Sequence, residues 1–90
     1  MNYIAKTKVE TINKDTVLQP EDFGGWDCVN EGDTVCVVNG VELDPYGTIV
    51  ARSFTDMHPK ALWGEPIRIT FKGAGTNRLI VTRLKYTETK

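Results

Sequence analysis

Asn39-Gly40 stands between two short apolar runs, Cys36-Val37-Val38 and Val41-Glu42-Leu43. No other feature constrains the fold of this chain as strongly. A two-residue type I′ turn needs positive φ at both central positions, and Asn followed by Gly meets that need at least steric cost. The turn then sets the register: Val38 faces Val41, and Cys36 faces Leu43. Elsewhere helix signals are almost absent, because no window keeps an i, i+3, i+4, i+7 apolar rhythm. Short alternating runs recur instead, separated by Gly, Pro, Asn and Asp. The expected fold is all-β, a small antiparallel sandwich or barrel of about six to seven strands. At 90 residues the chain forms one domain, 1–90.

The alternation assigns faces. Residues 2–11 form a strand with Tyr3, Ala5, Thr7 and Val9 on one face and Lys6, Lys8 and Glu10 on the other. The stretch 14–25, with Pro20, Gly24 and Gly25, reads as a loop. A short loop at 31–33 places Cys28 opposite Cys36, so residues 26–43 are expected to form a three-stranded meander. Its apolar face carries Trp26, Cys28, Cys36, Val38, Val41 and Leu43, and its other face Asp27, Val35, Val37 and Glu42. Asp44-Pro45-Tyr46-Gly47 is a further turn. Strands follow at 48–54, 66–72 (Ile67, Ile69 and Phe71 inward) and 77–86. The segment 55–65 is irregular or holds one helical turn.

Composition narrows the function classes. With 11 basic and 12 acidic residues the net charge is −1, which offers no electrostatic footprint for nucleic acid. The basic set Arg68, Lys72, Arg78, Arg83 and Lys85 reads as ordinary strand solubility. No apolar run has the ~18–20 residues of a membrane span, and the first residues lack the apolar stretch of a signal peptide. A cytoplasmic setting with reduced cysteines is therefore expected. The charge is uneven: residues 10–44 carry nine acids and one base (net −8), residues 45–90 carry net +5, and residues 1–9 carry net +2. Halves on different sides of the fold would present opposite charges from one copy to the next.

No catalytic constellation emerges. His58 is the one histidine, beside Asp56, and its conceivable nucleophiles are Ser53, Cys28 and Cys36; none has a nucleophile-elbow setting. Two cysteines and one distant histidine do not make a zinc site. Asp15, Glu21, Asp22 and Asp27 match no calcium loop, and Gly73-Ala74-Gly75 joins two strands rather than a strand and a helix. No catalytic residue, metal or cofactor is expected, and the chain is read as non-enzymatic. The candidate interface is Phe23, Trp26, Phe54, Met57, Leu62 and Trp63, since aromatics and Met are enriched in contact patches. The alternative is a small carbohydrate- or ligand-binding sandwich using Trp26 and Trp63 as a stacking platform.

Two segments taken together resemble a known group. Val17-Leu18-Gln19-Pro20 and the run Asn30-Glu31-Gly32-Asp33-Thr34-Val35-Cys36-Val37-Val38-Asn39-Gly40-Val41-Glu42-Leu43-Asp44-Pro45-Tyr46-Gly47 are similar to a pattern in small all-β virion proteins of tailed bacteriophages, of the capsid-decoration or head-fibre type. The resemblance implies a virion structural protein present in many copies, assembled in the host cytoplasm. Its implied partners are copies of itself, as a homo-oligomer, and a capsid or tail protein.

Overall fold

The computed structural model describes residues 3–50 and 64–88. Among them there is no helix, and the strands form two antiparallel four-stranded sheets. In chain order the strands are β1 (Tyr3–Ile12), β2 (Thr16–Leu18), β3 (Gly25–Asn30), β4 (Val35–Val38), β5 (Val41–Leu43), β6 (Thr48–Val50), β7 (Ile67–Lys72) and β8 (Leu79–Glu88). The first sheet has the order β1-β8-β3-β6 and the second β2-β7-β4-β5. The all-β expectation holds, and β2 is a short additional strand inside the stretch read as a loop.

The Asn39-Gly40 turn behaves as its chemistry requires. Both residues have positive φ, 48° and 83°, and the hairpin pairs Val38 with Val41 and Cys36 with Leu43. The expected meander is corrected. Strand β3 belongs to the first sheet and β4 to the second, so the chain crosses between sheets where a hairpin was expected. The inward assignments survive for Trp26, Cys28, Cys36, Val38 and Leu43, all buried. The reason is geometric. Alternation fixes which side chains point at the core, and two facing sheets share one core, so parity is identical for a hairpin and for a crossing. Val41 shares the face of Val38 and Leu43 as expected but is 53% exposed, because it lies on the edge strand beside the turn.

One core joins the layers. Trp26, Cys28, Leu79 and Val81 come from the first sheet, and Cys36, Val38, Leu43, Ile67 and Ile69 from the second, with Ile12, Leu18 and Phe71 packed around them. Ile67 and Ile69 sit inward on β7 as the alternation predicts, with Arg68 and Thr70 outward. β1 and β8 pair along all their residues, from Tyr3↔Glu88 to Ile12↔Leu79. β3 covers β8 only from Leu79 to Leu84. Beyond that point β1 and β8 continue as a two-stranded ribbon. The chain accordingly measures 49 Å along its long axis and only 18 and 17 Å across.

Candidate interaction surface

The two ends of the sandwich are built differently. At one end Asn30, fully buried, fastens two loops, 31–34 and 43–47. Its Nδ2 donates to the carbonyls of Thr34 (2.8 Å) and Leu43 (3.1 Å), and its Oδ1 accepts from the Gly32 amide (3.0 Å). Its backbone amide donates to the Gly47 carbonyl, and its carbonyl accepts from the Tyr46 amide. The amides of Glu31 and Gly32 both donate to the Arg78 carbonyl. The Asp33 carboxylate accepts from the Thr76 amide at 2.7 Å, and the Thr34 hydroxyl donates to Asn77 Oδ1. Gly32 fits only because it lacks Cβ: a Cβ there would lie 2.7 Å from the Arg78 amide nitrogen. These polar groups satisfy one another, which is what burial demands.

At the other end the inner face of the first sheet turns charged. Arg83 follows Leu79 and Val81 at inward parity on β8 and is 2% exposed. Its Nη1 donates to the Gln19 carbonyl and to Glu21 Oε2, both at 2.8 Å. Its Nε makes a 3.4 Å ion-pair contact with Glu10. The Phe23 ring lies 5.5 Å from the guanidinium and 5.7 Å from the Lys85 ammonium, within cation–π range. Residues 19–24 thus clamp a buried cation. Lys8 lies outside the clamp, 3.1 Å from Glu10 and 3.5 Å from Glu21; its hydrogen bond and attraction to Glu10 raise its pKa. On β1 the charged face, with Lys6, Lys8 and Glu10, therefore lies on the core side, where Arg83 needs partners.

The consequence appears on the outer face. There the first sheet carries Ala5, Thr7, Val9 and Thr11 from β1, Ile80, Thr82 and Leu84 from β8, and Asp27 and Val29 from β3. Among these Asp27 is the sole charge. The outer face of the second sheet is the usual kind, with Arg68 exposed and Lys72 paired to Glu42 across β4. A polar outer face is normal for a half-buried antiparallel sheet. The first sheet departs from that rule. It is also bordered by β1, an edge strand whose outer side forms no backbone hydrogen bonds among the described residues. Val9, 63% exposed, stands where the uncharged face meets that edge.

The residues singled out from sequence are placed as follows. Trp26 is a core residue at 7% exposure, and Phe23 is half-buried over Arg83. Phe54, Met57, Leu62 and Trp63 lie outside the described residues, as do Ser53, Asp56 and His58. Both cysteines are buried and neither forms a disulfide. Burial, with the nearby charge of Asp15, pushes the Cys36 thiol up to about 11, so it is an inert core group rather than a nucleophile. The acids weighed for calcium are scattered: Asp15 accepts from the Phe71 amide, Glu21 holds Arg83, and Asp27 sits on the outer face. No group of three His, Cys, Asp or Glu that could hold a metal exists among the described residues.

Among the described residues the charged halves of the sequence interleave. Glu31 pairs with Arg78, Glu42 with Lys72, and Glu10 and Glu21 with Arg83, so acids of the first half neutralise bases of the second. Sequence reasoning missed Asn30 and Arg83 as buried anchors. Strand parity could have found both, since Asn30 follows Trp26 and Cys28 at every second position and Arg83 follows Leu79 and Val81. Comparison with known proteins found no matching family model, no matching curated protein and no matching solved structure.

Proposed function

We propose that this chain is a non-enzymatic structural module that works by docking on copies of itself and on a larger protein assembly, and that the assembly is a bacteriophage virion in which it serves as a capsid-decoration or fibre-associated protein. One observation carries the first part. The outer face of the first sheet is nearly free of charge and runs into the open edge of β1, the kind of surface that soluble monomers keep small or cover. The virion part is supported by the sequence resemblance alone. The carbohydrate alternative has lost half of its platform, because Trp26 is buried.

Two measurements test the proposal. Sedimentation of the purified chain over a range of concentrations should show species heavier than the monomer. Mass spectrometry of purified phage particles from a genome encoding the chain should recover it. A strict monomer that is also absent from particles would overturn the reading.

A further inference from the structure

We infer that the chain forms a two-fold homodimer in which β1 pairs antiparallel with β1 of a second copy, with Val9 on the axis. The inference rests on the assembling-module reading and names the contact and the partner.

The edge strands differ sharply. β2, β5 and β6 are three residues long, whereas β1 has ten. β1 contains neither Pro nor Gly, and its register with β8 runs without a bulge. Of the devices that usually blunt a long edge, short length, Pro and a bulge are missing, and inward-pointing lysines are present. They lie on the inner face, where Glu10 offsets Lys8, while Thr7, Val9 and Thr11 form an uncharged row on the outer face.

Charge selects the register. A two-fold axis perpendicular to the sheet keeps inner faces on one side, so some residue of β1 must face its own copy. With Thr7 on the axis, Lys6 faces Lys8. With Lys8 there, two lysines meet, and with Glu10 there, two carboxylates meet. With Val9 on the axis, Lys8 of each copy lies opposite Glu10 of the other, Thr7 opposite Thr11, and Val9 opposite itself. Lys6 faces Ile12, and no like charges stand directly across. Opposite-charge and Thr–Thr cross-strand pairs stabilise, and like-charge pairs destabilise. Each Lys8, already within 3.1 Å of its own Glu10, gains a second carboxylate. The two first sheets become one continuous sheet, and their uncharged outer faces merge into one surface.

Cysteine cross-linking combined with sedimentation tests the register. Val9→Cys should give a disulfide-linked dimer on mild oxidation. Thr7→Cys alone should not, but Thr7→Cys mixed with Thr11→Cys should. The native thiols are buried and do not interfere. Val9→Lys places like charges on the axis at a position 63% exposed. It should leave the melting temperature of the monomer unchanged while raising the dimer dissociation constant about tenfold or more. A wild-type dimer in which Thr7→Cys cross-links to itself, or which Val9→Lys does not weaken, overturns this interface and leaves self-association standing. A monomer at every concentration overturns the homodimer, and recovery of the chain from particles then decides the wider reading independently.

Discussion

The Asn30 end and the Arg83 end of the same sandwich solve the burial of polar groups in opposite ways. At the Asn30 end a neutral amide bonds two loops to one another, and its polar atoms are used internally. At the Arg83 end a charge is buried, which requires acids to be brought in around it. Those acids and the neighbouring lysines occupy the inner face of β1, and the outer face is left uncharged. The difference teaches that a buried neutral amide can be satisfied locally, whereas a buried charge draws acids and lysines onto the inner face and leaves the outer face of the first sheet uncharged.

The largest effects should come from breaking either end. Asn30→Ala removes the side-chain donor from the Thr34 and Leu43 carbonyls, while the Gly32 amide keeps the Arg78 carbonyl, and should cost about 3 kcal/mol in urea denaturation. A loss below 1 kcal/mol would mean that the loops hold without it. Arg83→Ala should cost about 3 kcal/mol, because Glu10, 19% exposed, loses its buried counter-charge. Asn30 faces Leu79 and Arg83 faces Trp26, four strand positions or roughly 13 Å apart, so the double variant should show additive losses. A strong coupling would show that the ends are not independent.

Between the ends lies Cys36. Its thiol is held protonated by burial, with a folded pKa of about 11 against an ordinary 9.0. The folded state therefore keeps its proton where the unfolded state releases it. The stability associated with the neutral thiol is complete below pH 9 and declines as pH rises towards 11. Cys36→Ala should flatten that part of the stability–pH curve, and a thiol reagent should modify native protein only at the rate of unfolding. The smallest effect belongs to the ribbon. Ile4 is 52% exposed, and Ile4→Thr should change stability by less than about 0.5 kcal/mol. A larger loss would show that the ribbon belongs to the cooperative fold.

Much of the fold is legible in the residues. Asn39-Gly40 gives its hairpin and register, and the alternation on β7 gives its inward Ile67 and Ile69. The Pro45 turn closes as expected, with the Gly47 amide donating to the Asp44 carbonyl at 2.8 Å. Less of the candidate surface is legible. The alternation puts Val9 on one face with Thr7, but nothing local says that this face is the outer one. Lys6 and Lys8 look like ordinary solvent-side residues until Arg83 is known to be buried opposite them.

The sequence by itself determined the all-β class, the turns and the parity of the core positions, because turn chemistry and a two-residue period act over neighbouring residues. Only the tertiary structure decided that β3 and β4 lie in different sheets, that Arg83 gathers Glu10 and Glu21, and that β1 is a long open edge. These outcomes depend on which distant strands meet, and residues as far apart in sequence as Glu10 and Arg83 become neighbours only when β1 and β8 pair.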